Sequence, residues 1–157
     1  MKTHSGFTVP VVAFKRFLLV AWAVWLSVVL LTNLADAVKG LGWLGESWAF
    51  ASGNLQFIRE TTARYGTPDV VNGVLFGGVV VWEGVAAVLF WRAALAFRGR
   101  GVGRTAMYQA FAVQLLLWFG FLVADEVFIA YPLEATHLRI FVAQLVTLVA
   151  IELLPET

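Results

Sequence analysis

Apolar positions in this chain come in long unbroken runs, with neither the alternation of a half-buried strand nor the one-sided stripe of a surface helix. Residues 17–35 and 105–124 hold no charge at all, and 70–91 is broken only by Glu83. A helix crossing the hydrocarbon core needs about 20 such residues. A fourth run, 140–151, is too short alone, and spans only if Arg139 and Glu152 snorkel toward opposite interfaces. The pattern predicts spans at approximately 14–36, 69–92, 104–125 and 136–154. Lys15 and Arg16 open the first. Pro68 and Asp69 open the second, where a missing N–H costs nothing and an acid suits the positive end of the helix dipole. The expected fold is an all-α, integral membrane four-helix bundle, residues 1–157 forming a single transmembrane domain.

Between the first two spans lies the one sizeable polar segment, an outer loop at 37–68. Trp43, Trp48, Phe50, Leu55, Phe57, Ile58 and Tyr65 thread through it, and Gly40, Gly42, Gly45 and Gly53 divide it. Such a loop folds back onto the span ends or lies in the interface plane. Asn54 is placed to cap a short helix running to Arg64.

Composition agrees with a membrane protein. Hydrophobic residues make up 61% and charged residues 13%, against about 25% charged in soluble domains. Mean hydropathy is +0.83. Seven Trp, thirteen Phe and three Tyr suit anchoring at two water–lipid interfaces. The absence of cysteine excludes a disulfide framework, a thiolate metal site and a Cys nucleophile. A net charge of +1 gives no reason to expect nucleic acid.

Cations set the direction. Lys2, Lys15, Arg16, Arg92, Arg98, Arg100 and Arg104 fall on one side; Lys39, Arg59, Arg64 and Arg139, diluted by acids, fall on the other. The positive-inside rule puts both termini and the Arg-rich loop in the cytoplasm, in a bacterial inner membrane. Lys15–Arg16, the first apolar run and Ala35-Asp36-Ala37 imitate a signal peptide, but the run is long for one and Asp36 is unhelpful at the cleavage triplet.

Chemistry concentrates in a few buried acids. An isolated carboxylate at the bilayer centre costs roughly 2.5 kcal/mol or more, so Glu83 must be neutralised, paired or placed against protein. Gly73, Gly77, Gly84 and Ala87 make a small-residue face beside it, which points to span two as central in the packing. Gln114 and Gln144 lie at comparable depth. The ordinary expectation is a protonated Glu83 held by one of them as interhelical glue; the alternatives are a proton or cation site, or contact with a partner subunit. At the outer rim, Asn33 and Asp36 share a helix face, with Asp125 and Glu126 level with them. Asn54, Glu134 and His137 complete a set able to bind a hard cation such as Ca²⁺. The ordinary expectation for these acids is pairing with Arg59, Arg64 or Arg139 and with loop N–H groups. No ligand spacing is diagnostic, so no metal is assigned. His4 and His137 are the only histidines, which leaves no bis-His haem site, and no cofactor is assigned. No phosphate-binding loop, nucleophile elbow or zinc motif occurs. Arg98, Arg100 and Arg104 suit anionic lipid head groups.

Several short motifs occur in order: Asn33-Leu34-Ala35-Asp36, Asn54-Leu55-Gln56-Phe57, Thr61-Thr62, the intramembrane Glu83, Leu117-Trp118-Phe119 leading to Glu126, and Leu154-Pro155-Glu156. In this the chain resembles an uncharacterised bacterial family of predicted small four-span integral membrane proteins, a domain of unknown function. Here there are extra residues between Asp36 and Asn54, and Val127 stands where the family has Trp. The resemblance implies the four-span fold, favours retention of span one, and groups Asn33, Asp36, Asn54, Glu83 and Glu126. It implies no reaction.

The expected function is therefore non-catalytic: a small accessory or assembly subunit of a larger membrane complex, respiratory or photosynthetic, with the bilayer and other membrane subunits as partners. The alternative is a small transporter or ion-responsive protein using Glu83. A third reading, an enzyme acting on lipid or quinone with Asp125 and Glu126 as acid and base, lacks a supporting nucleophile or metal set. The outer loop is expected to dock on Asn33, Asp36 and Glu126.

Overall fold

The computed structural model describes residues 10–45, 47–99 and 101–155; Lys2, His4, Arg100 and Glu156, named above, lie outside them. The described elements are α1 (Val11–Gly40), α2 (Asn54–Thr62) with a 3₁₀ turn at Ala63–Tyr65, α3 (Asp69–Ala96), α4 (Arg104–Phe128) and α5 (Tyr131–Leu153). α1, α3, α4 and α5 are long and apolar enough to cross a membrane. The protein is an all-α, multi-pass membrane bundle. In hydrocarbon a backbone must satisfy its own hydrogen bonds, so runs rich in Val, a modest helix former in water, become long helices here.

The ends follow local chemistry. Pro68 is extended and Asp69 occupies the first turn of α3. Gly103 starts α4 at φ 87°, and a Cβ there would sit 2.7 Å from Ala96 C and O and from Phe97 Cα. Only glycine fits that tight α3–α4 turn. Between α4 and α5 the chain reverses at Ile129, the one described non-glycine residue with positive φ. The Ala130 N–H closes the turn on Asp125 O at 2.7 Å.

α1 packs along α3, α3 along α4, and α4 along α5. The two halves of the bundle differ. In the half away from α2, all four spans meet in one apolar cluster that includes Leu19, Leu26, Phe90, Phe97, Phe111 and Ile151. Buried Ala86, Ala87, Ala93 and Ala94 let α3 approach its neighbours there. Gly73 and Gly77 take no part, because a Cβ at either meets nothing within 4 Å, whereas one at Gly84 would touch Leu30 at 3.8 Å. The α3 packing face is thus made by alanine and Gly84 rather than by the G-x-x-x-G pair. In the half near α2 the core shrinks to Leu55, Phe76 and Val80, with Leu30, Ala37 and Ile58 against them.

α5 is the least embedded span, buried only at Gln144 and Ile151. Glu152 does not reach out to an interface on its own but pairs with Arg104 across the α4–α5 hairpin. Arg59 pairs with Asp69 at 3.3 Å, joining α2 to the start of α3.

Candidate functional site

Beneath α2 the loosely filled half of the bundle contains a cavity of about 560 Å³. Its walls are mostly apolar, with Trp25, Phe76, Trp118, Phe121 and Phe128 prominent. Glu83, Asn54, Asp125 and His137 also line it. Apolar walls with a few converging polar groups are the usual form of a small-molecule site.

One side is organised around Asn33, which is 1% exposed. Its Nδ2 donates to Glu83 Oε2 at 2.7 Å. Its Oδ1 accepts from Asn54 Nδ2 at 2.8 Å. Asn33 thus spends both ends of its amide, tying α1 to the middle of α3 and to the first residue of α2. Three residues on, Asp36 faces the same way and is also buried. Its Oδ2 accepts from the Leu55 N–H at 2.8 Å and from Ser52 Oγ at 3.1 Å. The Leu55 N–H is one of the orphan donors that open α2, so Asp36 of α1 caps a helix to which it does not belong. At the far end of α2, Thr62 Oγ1 donates to Asn72 Oδ1 of α3 at 2.7 Å. The α2 roof is thereby clamped to α1 at its start and to α3 at its end.

The opposite side is a dyad. His137 Nδ1 lies 2.6 Å from Asp125 Oδ2. The imidazole stacks on Phe121, with centroids 4.9 Å apart and planes at 24°, and leans on Trp118 at 5.8 Å. Trp118 in turn meets Trp25 of α1 at 6.3 Å. Asp125 sits one turn from the end of α4 and His137 in the second turn of α5. The two-residue turn between the helices sets them face to face.

Several sequence expectations change. Neither Gln114 nor Gln144 holds Glu83; Asn33 does, because α1 rather than α4 or α5 offers a donor at the carboxyl. Gln114 and Gln144 are wholly buried, and their side-chain amides find no partner among the described residues. Asp125 and Glu126 do not act together: consecutive helical residues point about 100° apart, so Asp125 turns inward and Glu126 is exposed. For the same reason the loop docks on Asn33 and Asp36 but not on Glu126. Asp125 pairs with His137 rather than with Arg59, Arg64 or Arg139. Asn54 caps nothing with its side chain; Gly53 is the cap residue, and α2 ends at Thr62 before the 3₁₀ turn. Among the described residues, no three His, Asp or Glu side chains gather as a cation site would need.

His137 was the member that sequence reasoning undervalued. Its signal was the face of an antiparallel hairpin: with the turn at 129–130, residue 125 falls opposite residue 134, and residue 137 lies one helical turn further along that face. The same turn puts Gln114 within one residue of level with Gln144, while the long Arg104 side chain reaches Glu152 from a level three residues away. No family model, curated protein or solved structure matches this chain.

Proposed function

We infer that this is a non-catalytic membrane protein that holds a small, largely apolar molecule in the cavity beneath α2, and that it does so as an accessory subunit of a larger complex in a bacterial inner membrane, both termini facing the cytoplasm. The observation behind this reading is the cavity itself. At about 560 Å³ it falls within the roughly 300–1,000 Å³ of ordinary ligand sites. The recess is partly open to its surroundings, as entry of a ligand requires. Three polar clamps, at Asn33, Asp36 and Thr62, hold α2 over it. The subunit role rests on the outer faces of the spans, where Leu31, Val74, Val81 and Phe119 are exposed and offer apolar surface for other helices. Arg98, Arg100 and Arg104 suit anionic lipid on the cytoplasmic face.

Mild-detergent extraction from the native membrane, followed by mass spectrometry of proteins and extractable small molecules, tests both parts. The expected result is co-migration with larger partners and one apolar molecule held at fixed stoichiometry. A lone chain accompanied by bulk phospholipid alone overturns the reading.

A second reading, transport, is favoured by one fact: Glu83 is on the cavity wall. It requires that Glu83→Gln abolish flux in vesicles while the bundle stays folded.

A further inference from the structure

Two polar stations on the cavity wall, His137 and Glu83, differ in what they offer a ligand, and the buried indole N–H of Trp118, without a partner among the described residues, lies on the same wall. Asp125 engages His137 through Nδ1. With an ionised Asp125 and a neutral imidazole, Nδ1 carries the hydrogen and Nε2 is left as an acceptor. Nε2 makes no hydrogen bond with any described residue, and His137 lines the cavity. The ring already lies against Phe121, with Trp118 beside it, so a flat aromatic body extends an existing stack. Across the cavity, Glu83 uses Oε2 for Asn33, and Oε1 is bonded to no described group. A carboxyl in either protonation state bonds a hydroxyl.

Charge narrows the choice further. The lining residues include Glu83 and Asp125 but no Lys or Arg. A phosphate or fatty-acid head group has no cation to meet there, and burying it unpaired is costly. An alcohol with a single hydroxyl satisfies one station and strands the other.

We propose that the cavity is a binding site for a hydroquinone, the reduced head group of a membrane quinol, with one ring hydroxyl donating to His137 Nε2 and the other bonded to Glu83. This rests on the cavity being a ligand site and adds the ligand's class. It asks for binding and no electron transfer. Asp125 is a positioning residue: it sets which imidazole nitrogen accepts.

The test is equilibrium binding of decyl-tailed probes to the full-length protein in mild detergent. The probes are decylhydroquinone, the corresponding quinone, the hydroquinone dimethyl ether and decylbenzene. The hydroquinone is expected to bind about tenfold more tightly than the ether or the quinone, the value of one or two hydrogen bonds. Asp125→Asn can donate to Nδ1 and move the ring hydrogen to Nε2, so it is expected to narrow or reverse the preference for hydroquinone over quinone. His137→Phe keeps the aromatic stack and is expected to narrow the difference between hydroquinone and ether to what the Glu83 bond alone supplies, which decides the matter if the Asn variant does not fold. Equal binding of all four probes, or a hydroquinone-to-quinone ratio unchanged in both variants, overturns the quinol while leaving an apolar ligand site. No binding of any probe, decylbenzene included, overturns the ligand site as well.

Discussion

Asn33 shows how much one side chain decides here. Both ends of its amide are engaged, with Glu83 and with Asn54, at 1% exposure. A leucine of similar size keeps the packing but leaves Glu83 without its donor and Asn54 without its acceptor. The desolvation penalty of a buried polar group left unmatched is about 1–3 kcal/mol, more for a charged one. Asn33→Leu should therefore lower the thermal midpoint in detergent, by more than Glu83→Gln, which retains an acceptor for Asn33 Nδ2. Asp36→Ala should act on α2 alone: with the Leu55 N–H and Ser52 hydroxyl released, amide exchange in α2 should rise while the four spans stay protected. Equal exchange in wild type and variant would show that Asp36 does not anchor the roof. The sequence marked Asn33, Asp36, Asn54 and Glu83, since polar residues inside or beside apolar runs are costly and conspicuous. What it left open was their pairing. The sequence pointed to Gln114 and Gln144 for Glu83 and put Asn33 at the rim; the side-by-side packing of α1 and α3 brings Asn33 to the carboxyl instead.

At the level of elements, α4 and α5 form a hairpin with three polar levels. The outer two are made: Asp125 with His137, and Arg104 with Glu152. The middle level, Gln114 and Gln144, is wholly buried and unpartnered among the described residues. Unsatisfied buried amides cost stability that apolar side chains of like volume would not. The double variant Gln114→Leu/Gln144→Leu is thus expected to be at least as stable as wild type, by up to about 1–2 kcal/mol, in thermal or denaturant unfolding in detergent. A marked loss would mean that the amides bond to each other or to an internal water. The turns behave differently. Gly103→Ala combines a positive φ with three backbone contacts at 2.7 Å, so the α3–α4 turn must open. A loss of more than about 1 kcal/mol is expected. Gly73→Ala, with nothing within 4 Å, should be silent or slightly stabilising.

For the whole molecule, the division into a dense half and a hollow half is the central structural fact. The chain contains no cysteine, which makes its membrane orientation directly measurable. A single cysteine at Ser47 should react with an impermeant maleimide from outside intact cells. One at Arg98 should react only after permeabilisation, and the opposite pattern would invert the topology. The four spans, the all-α class and the short list of costly polar residues were determined by the sequence itself, because hydrocarbon imposes length and polarity limits that each segment meets alone. Tertiary structure alone decided what those residues do together. Helical phase turned Asp125 in and Glu126 out, the shared hairpin face brought His137 to Asp125, and the neighbour of α3 decided the partner of Glu83. The cavity, too, exists only between elements: it is the space left where α2 is clamped over four helices whose side chains do not fill the gap, and no single segment contains it.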